Sequence, residues 1–190
     1  DDITLPRMVH LNFVRSPLAH AKIKSVNVEK AKRISGVYEV FSISDIEKVC
    51  SSWKGVLGHL GEMRSPVQHP LAKDIVRWQG EPILVVVAKN RAIAEDASEL
   101  VEIEYEEITP QLDMETALNE KSQIIHKELG NNLFWTRTVD QGNVNDAFDK
   151  AHKVVDTTLN FARHTGVTLE SRGIIADWNS SEEKMTIFHN

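Results

Sequence analysis

The chain has 190 residues, a formal net charge of −6, 26% charged residues and 41% apolar residues. That length can bury a core in one large domain or two small ones, and the composition is that of a globular chain rather than a disordered one. The mild acidity excludes a basic face for non-specific nucleic-acid binding, the run Ile83–Ala88 is far short of the roughly 20 apolar residues that span a bilayer, and one cysteine, Cys50, excludes an internal disulfide and a multi-cysteine metal or iron–sulfur site. The opening Asp1-Asp2-Ile3 has no basic start and no apolar stretch, so no signal peptide is read there. A reducing, cytoplasmic compartment is the expectation.

In chain order, Met8–Ser16 is predicted as a strand, with Val9, Leu11 and Phe13 alternating against His10, Asn12 and Val14, and Pro17 stopping it. Ala21–Val28 is a second strand. Asn27 is placed to cap a short helix over Glu29–Ile34 that ends at Gly36. Val37–Phe41 is a third strand, and Ser44-Asp45-Ile46-Glu47 fits a capping box opening a second short helix. Ser51–His69 has no clean period and reads as a long loop.

Ile75–Glu107 carries the clearest signal. Ile75–Trp78 and Ile83–Ala88 are strands separated by the turn Gln79-Gly80-Glu81-Pro82. The second is apolar on both faces and is therefore predicted to be central. Asn90 caps a helix over Arg91–Leu100, and Val101–Tyr105 returns as a strand with Glu102, Glu104 and Glu106 on its solvent side. Strand–helix–strand implies a layered mixed α/β (α+β) domain. Beyond Pro110, Glu115–Asn119 is one helical turn and Ser122–Trp135 an extended linker. Asn143 then caps a helix over Val144–Ala151, and Val154–Arg163, Gly173–Trp178 and Met185–His189 are strand candidates.

Few residues carry chemistry by pattern alone. The eight histidines form no H-x-H or HExxH pair and are read as surface or structurally hydrogen-bonded. Cys50 follows the C-terminal end of its short helix rather than sitting at a helix N-terminus, and is read as structural. No catalytic residue and no metal ligand set is assigned. Glu170 and Arg172, of one strand parity beside Gly173, are the candidates for placed polar residues, with a structural ion pair as the simpler reading.

Four segments together resemble the large, molybdopterin-binding subunit of the molybdenum hydroxylases, the family of xanthine dehydrogenase, aldehyde oxidase and aerobic carbon monoxide dehydrogenase. They are Asp1–Pro6 with Arg15-Ser16-Pro17-Leu18-Ala19-His20-Ala21; Ile34-Ser35-Gly36-Val37 with Asp45-Ile46; Val76-Arg77-Trp78-Gln79-Gly80-Glu81-Pro82 through Ala94–Val101 to Tyr105; and Gly142-Asn143-Val144 with Leu169-Glu170-Ser171-Arg172-Gly173. The match runs along nearly the whole chain in the family's order. It departs at Ser171, where the family pattern has proline, and at Asn143 and Asn145, where it has aspartate.

The resemblance implies an α/β hammerhead domain over residues 1–111, a linker over 112–135, and the beginning of a molybdopterin-binding domain over 136–190. It implies an N-terminal piece of a longer subunit, with the catalytic and most cofactor-binding residues lying further on. The implied activity is oxidative hydroxylation of an aldehyde, a heterocycle or carbon monoxide. The implied cofactor is molybdopterin or molybdopterin cytosine dinucleotide, held by the whole enzyme rather than by this chain alone. Partners would be the rest of the subunit and the FAD and [2Fe-2S] subunits or domains, in a complex expected to be a homodimer. Glu170, Arg172 and Gly173 would support the cofactor domain. The alternative is a stand-alone hammerhead-type interaction module without chemistry. Exposed apolar edges after Val154 would set the fragment apart from it by self-association.

Overall fold

The computed structural model describes residues 3–55, 57, 59–162, 164 and 166–190, and the chain divides into two compact units. One is Leu5–Thr138. The other is Val139–Asn190 with the first residues of the chain.

In the first unit, β1 (His10–Arg15), β2 (Ala21–Asn27) and β3 (Val37–Phe41) precede the strand that organises them, β7 (Pro82–Ala88). Between lie β4 (Trp53–Lys54), β5 (Val67–Gln68) and β6 (Ile75–Val76), and β8 (Glu102–Glu107) follows. β7 is central in the sheet β1-β7-β3, as its two-sided apolar sequence predicts. A second sheet has the order β6-β2-β8. Every pairing is antiparallel. The strand–helix–strand run β7, α3 (Arg91–Glu99), β8 therefore crosses from one sheet to the other, and is not a parallel βαβ unit.

The main core fills the space between the sheets. Leu84 and Val86 of β7, Val40 of β3, Ala21 of β2 and Val76 of β6 meet Ala31 of α1 (Glu29–Lys32) and Ala97 of α3. Asn90 caps α3 by accepting the Ile93 N–H at 2.9 Å. At α1 the cap position is Val28, one residue after the expected Asn27, and no side chain caps the helix; Asn27 Oδ1 accepts the Glu29 N–H at 3.1 Å from outside it. A smaller cluster on the opposite face of β7 joins Val85 to Ile43 and Leu71.

Several expectations are corrected. The capping box is Ser42 with Asp45, two residues before the predicted one, and opens α2 (Ile43–Ile46). Both serines have an acid three residues on; the earlier start buries Ile43. The alternation in β1 is real but inverted: Leu11 and Phe13 face solvent while Val14 joins the core. The smaller cluster covers β7 only as far as Val85, leaving its neighbours on β1 bare. The 51–69 loop carries the short β4–β5 ladder, and Cys50 is exposed.

Residues 112–138 fold within the first unit. Lys127–Leu129 forms a 3-10 turn. Asn132 accepts the Ile125 N–H and donates to the carbonyls of Ala117 and Gln123, at 2.9 Å each.

The second unit contains α4 (Val144–Asp149), capped by Asn143, and the hairpin β9 (Ile174–Asn179) with β10 (Lys184–His189). No strand forms over the described residues of 154–163, where the sequence predicts one. A strand without a pairing partner has no ladder to hold it. Among the described residues of 139–190, every one except Ile175 is exposed.

Candidate functional site

Glu170, Arg172 and Gly173 lie in the bend before β9, not on the strand itself. Glu170 and Arg172 are exposed, and neither makes an ion pair among the described residues. The order here comes from the backbone. The Gly173 N–H donates to Asn190 Oδ1 at 2.9 Å, and Asn190 Nδ2 donates to the Ser171 carbonyl at 2.7 Å. The Thr168 hydroxyl donates to the Glu170 carbonyl at 2.8 Å. Asn190 is therefore the residue that fixes this loop. The sequence signalled it only as an amide at the end of a strand.

The first unit brings together two of the quoted motifs. The Ser16 N–H donates to the Glu81 carbonyl and the Gly80 N–H to the Ser16 carbonyl, at 2.9 and 2.8 Å. Arg15 Nη1 donates to the Gly80 carbonyl at 2.9 Å. Gly80 has φ +94°, so glycine closes the turn without strain. The Glu81 carboxylate accepts the Arg77 N–H at 2.6 Å, and burial raises its pKa above the usual carboxylate range. The Ser16 side chain turns back on the Leu18 backbone, and burial raises the Tyr105 phenol's pKa.

Beside this corner lies a polar cluster that the sequence reading missed. His20 is only 6% exposed, and its Nδ1 and that of His126 are buried without a hydrogen-bond partner. Burial, and then the charge of Arg77, hold both imidazoles below their ordinary pKa. Arg77 donates from Nε to the Ile125 carbonyl at 3.3 Å and from Nη1 to the Ile75 carbonyl at 3.2 Å. Motif spacing does not reveal this cluster, because its members lie far apart in sequence. The carboxylates of β8 behave as read: Glu106 pairs with Lys22 and Lys24, and Glu102 with Lys30, all at the surface.

Residues 1–109 match the family model described as aldehyde oxidase and xanthine dehydrogenase, a/b hammerhead domain, and residues 125–190 match the molybdopterin cofactor-binding domain. The chain is 33% identical to the nicotine 6-hydroxylase large subunit of Paenarthrobacter nicotinovorans, over 99% of this chain and 23% of that protein. It is 28% identical to the carbon monoxide dehydrogenase large chain of Afipia carboxidovorans, over 99% of this chain and 24% of that one. The structure superposes on quinoline 2-oxidoreductase from Pseudomonas putida 86 with a TM-score of 0.90 and 29% identity, covering 99% of this chain and 24% of that one. The chain belongs to the molybdenum hydroxylase large-subunit family, that of aldehyde oxidase and xanthine dehydrogenase. It spans about a quarter of the length of these relatives. The second family match leaves the stand-alone hammerhead module without support.

The residues of this chain do not by themselves fit the pterin cofactor. A cofactor of that size is bound in a concave site that covers most of its surface. In the second unit the described side chains other than Ile175 are exposed, and the hollow of about 540 Å³ beside α4 is open. Among the described residues no group of three His, Cys, Asp or Glu is placed to hold a metal ion.

Proposed function

We propose that this chain is the amino-terminal scaffold of the large subunit of a molybdenum-dependent hydroxylase that acts on an electron-poor, nitrogen-containing aromatic ring. The observation that carries the reading is the two family matches in order, joined to a TM-score of 0.90 against quinoline 2-oxidoreductase over 99% of the chain. The substrate class follows from the names of the relatives, a nicotine hydroxylase and a quinoline oxidoreductase. The cofactor is molybdopterin or its cytosine dinucleotide, bound by the assembled subunit. FAD and [2Fe-2S] centres reside on partner subunits or domains, in a cytoplasmic complex that dimerises.

In this reading residues 1–111 are the hammerhead, 112–135 the connection and 136–190 the start of the cofactor domain. The rest of the subunit supplies the apolar cover that 139–190 lacks. Val9, Leu11 and Phe13, bare on and before β1, offer a contact face. Glu170, Arg172 and Gly173 shape the loop that Asn190 ties to β10.

The test is the molybdenum content of the intact protein that carries this sequence, with hydroxylation of quinoline and nicotine followed by transfer of oxygen from labelled water. Stoichiometric molybdenum and a labelled hydroxylated product are expected. An intact protein free of molybdenum overturns the reading. For the loop, Arg172→Ala in the intact subunit is expected to lower cofactor loading. Unchanged loading and melting temperature would remove Arg172 from the supporting role.

A further inference from the structure

We infer that His20, Arg77 and His126 form an acid-sensitive latch: neutral imidazoles let residues 122–135 close on the first unit, and protonated imidazoles beside Arg77 release it. The latch is independent of the chemistry proposed above. Its residues all lie within Leu5–Thr138.

The segment is held at defined points. Arg77 grips the Ile125 carbonyl, next to His126. The Arg64 N–H donates to the Phe134 carbonyl at 2.8 Å, and Arg64 Nη1 reaches Asn131 Oδ1 at 2.9 Å. Trp135 Nε1 donates to the Gly61 carbonyl at 3.0 Å. The His126 ring stands edge-on to Phe134 with centroids 6.0 Å apart. This packing accepts a neutral ring and leaves its Nδ1 buried without a hydrogen-bond partner.

The surrounding charges oppose protonation. His20 is faced by Arg77, by Lys127 from the segment and by His126 itself. The Thr109 backbone beside His20 favours its charged form but ranks below burial and Arg77. His126 is faced by Arg77 and by Glu128, whose Oε1 lies 3.4 Å from Nδ1 outside hydrogen-bond geometry. Glu81, the other carboxylate at Arg77, is itself pushed toward its neutral form. One exposed carboxylate thus stands against a fixed guanidinium, a buried ring at His20 and a half-buried ring at His126.

The sign follows from linkage. Both imidazoles resist protons when the segment is closed and take them up normally, near 6.5, when it opens. Closure is therefore fully stabilised above that range and weakens as the pH falls below it.

Hydrogen exchange on the intact protein, corrected for the intrinsic pH dependence of exchange, tests the latch. Between about pH 7.5 and about pH 5.5, protection over 122–135 is expected to fall roughly tenfold, while β7 keeps its protection. The double variant His20→Gln, His126→Phe keeps a polar side chain at 20 and the ring edge on Phe134, and is expected to lose the pH response. Equal pH-dependent loss in that variant, or none in the wild type, overturns the latch. If the double variant does not fold, Glu128→Gln decides. It removes an exposed negative charge that favours protonated His126, so the acid loss must deepen; an unchanged response overturns the latch.

Discussion

The two units of this chain use the same local devices and arrive at different ends. Asn90 and Asn143 cap their helices in the same way, each accepting the N–H three residues on. β1–β7 and β9–β10 are both antiparallel ladders, the first shifting register between Val14 and Arg15. Yet Leu84, Val86, Ala94 and Ala97 are buried in the first unit, while one residue of the second, Ile175, is as much as half-buried among those described. Caps and ladders set conformation. They do not offset the roughly 1–2 kcal/mol per residue of backbone entropy that burial must overcome.

The largest expected effect is the contrast in protection between the units. In the isolated 190-residue chain, amides of β7 are expected to exchange at least a thousandfold more slowly than those of β9 and β10, on the order of the gap between global unfolding and fraying. Equal protection would break the comparison outright. Light scattering on the same sample is expected to report self-association through the bare apolar residues Leu159, Phe161, Val167 and Leu169. A monodisperse monomer would count against that.

Next in size, Leu84→Ala, at 2% exposure, is expected to cost about 2–5 kcal/mol in denaturant unfolding. Leu169→Ala is expected to stay within about 0.5 kcal/mol. Gly36→Ala places a methyl 2.8 Å from Ile93 Cδ1 at φ +93° and is expected to cost more than about 1 kcal/mol. An unchanged melting temperature would show that α3 moves aside freely. Smallest, Asn90→Ala is expected to cost about 1 kcal/mol, and Asn143→Ala nothing resolvable, because only α3 is tied to a core. Equal effects in the same unfolding transition would mean that α4 is docked after all.

The sequence was most informative where periodicity and burial agree. β7 was legible as central because it is apolar on both faces, and β8 because its glutamates alternate with Ile103 and Tyr105. The phase of β1 was not legible. Apolar alternation says which residues share a face, and only the neighbouring elements say which face is covered. Residues 154–162 failed for a related reason: β propensity is expressed through a partner strand, and none of the described residues supplies one. At the candidate loop the glutamate and arginine stood out as charges, while the amide that holds the backbone, Asn190, did not. The His20–Arg77–His126 cluster was invisible because it assembles only after folding.

The interlock of Arg15 and Ser16 with the Gly80–Glu81 turn also has a consequence in time. The two halves of that corner are 65 residues apart in the chain. At ribosomal speeds of about 5–20 residues per second, that interval lasts roughly 3–13 s. Through it the first strand has emerged without the neighbour it will pair with, its ladder groups unbonded and Val14 without its core. Synthesis of this strand is therefore followed by a waiting period, in which its backbone groups have only water to bond.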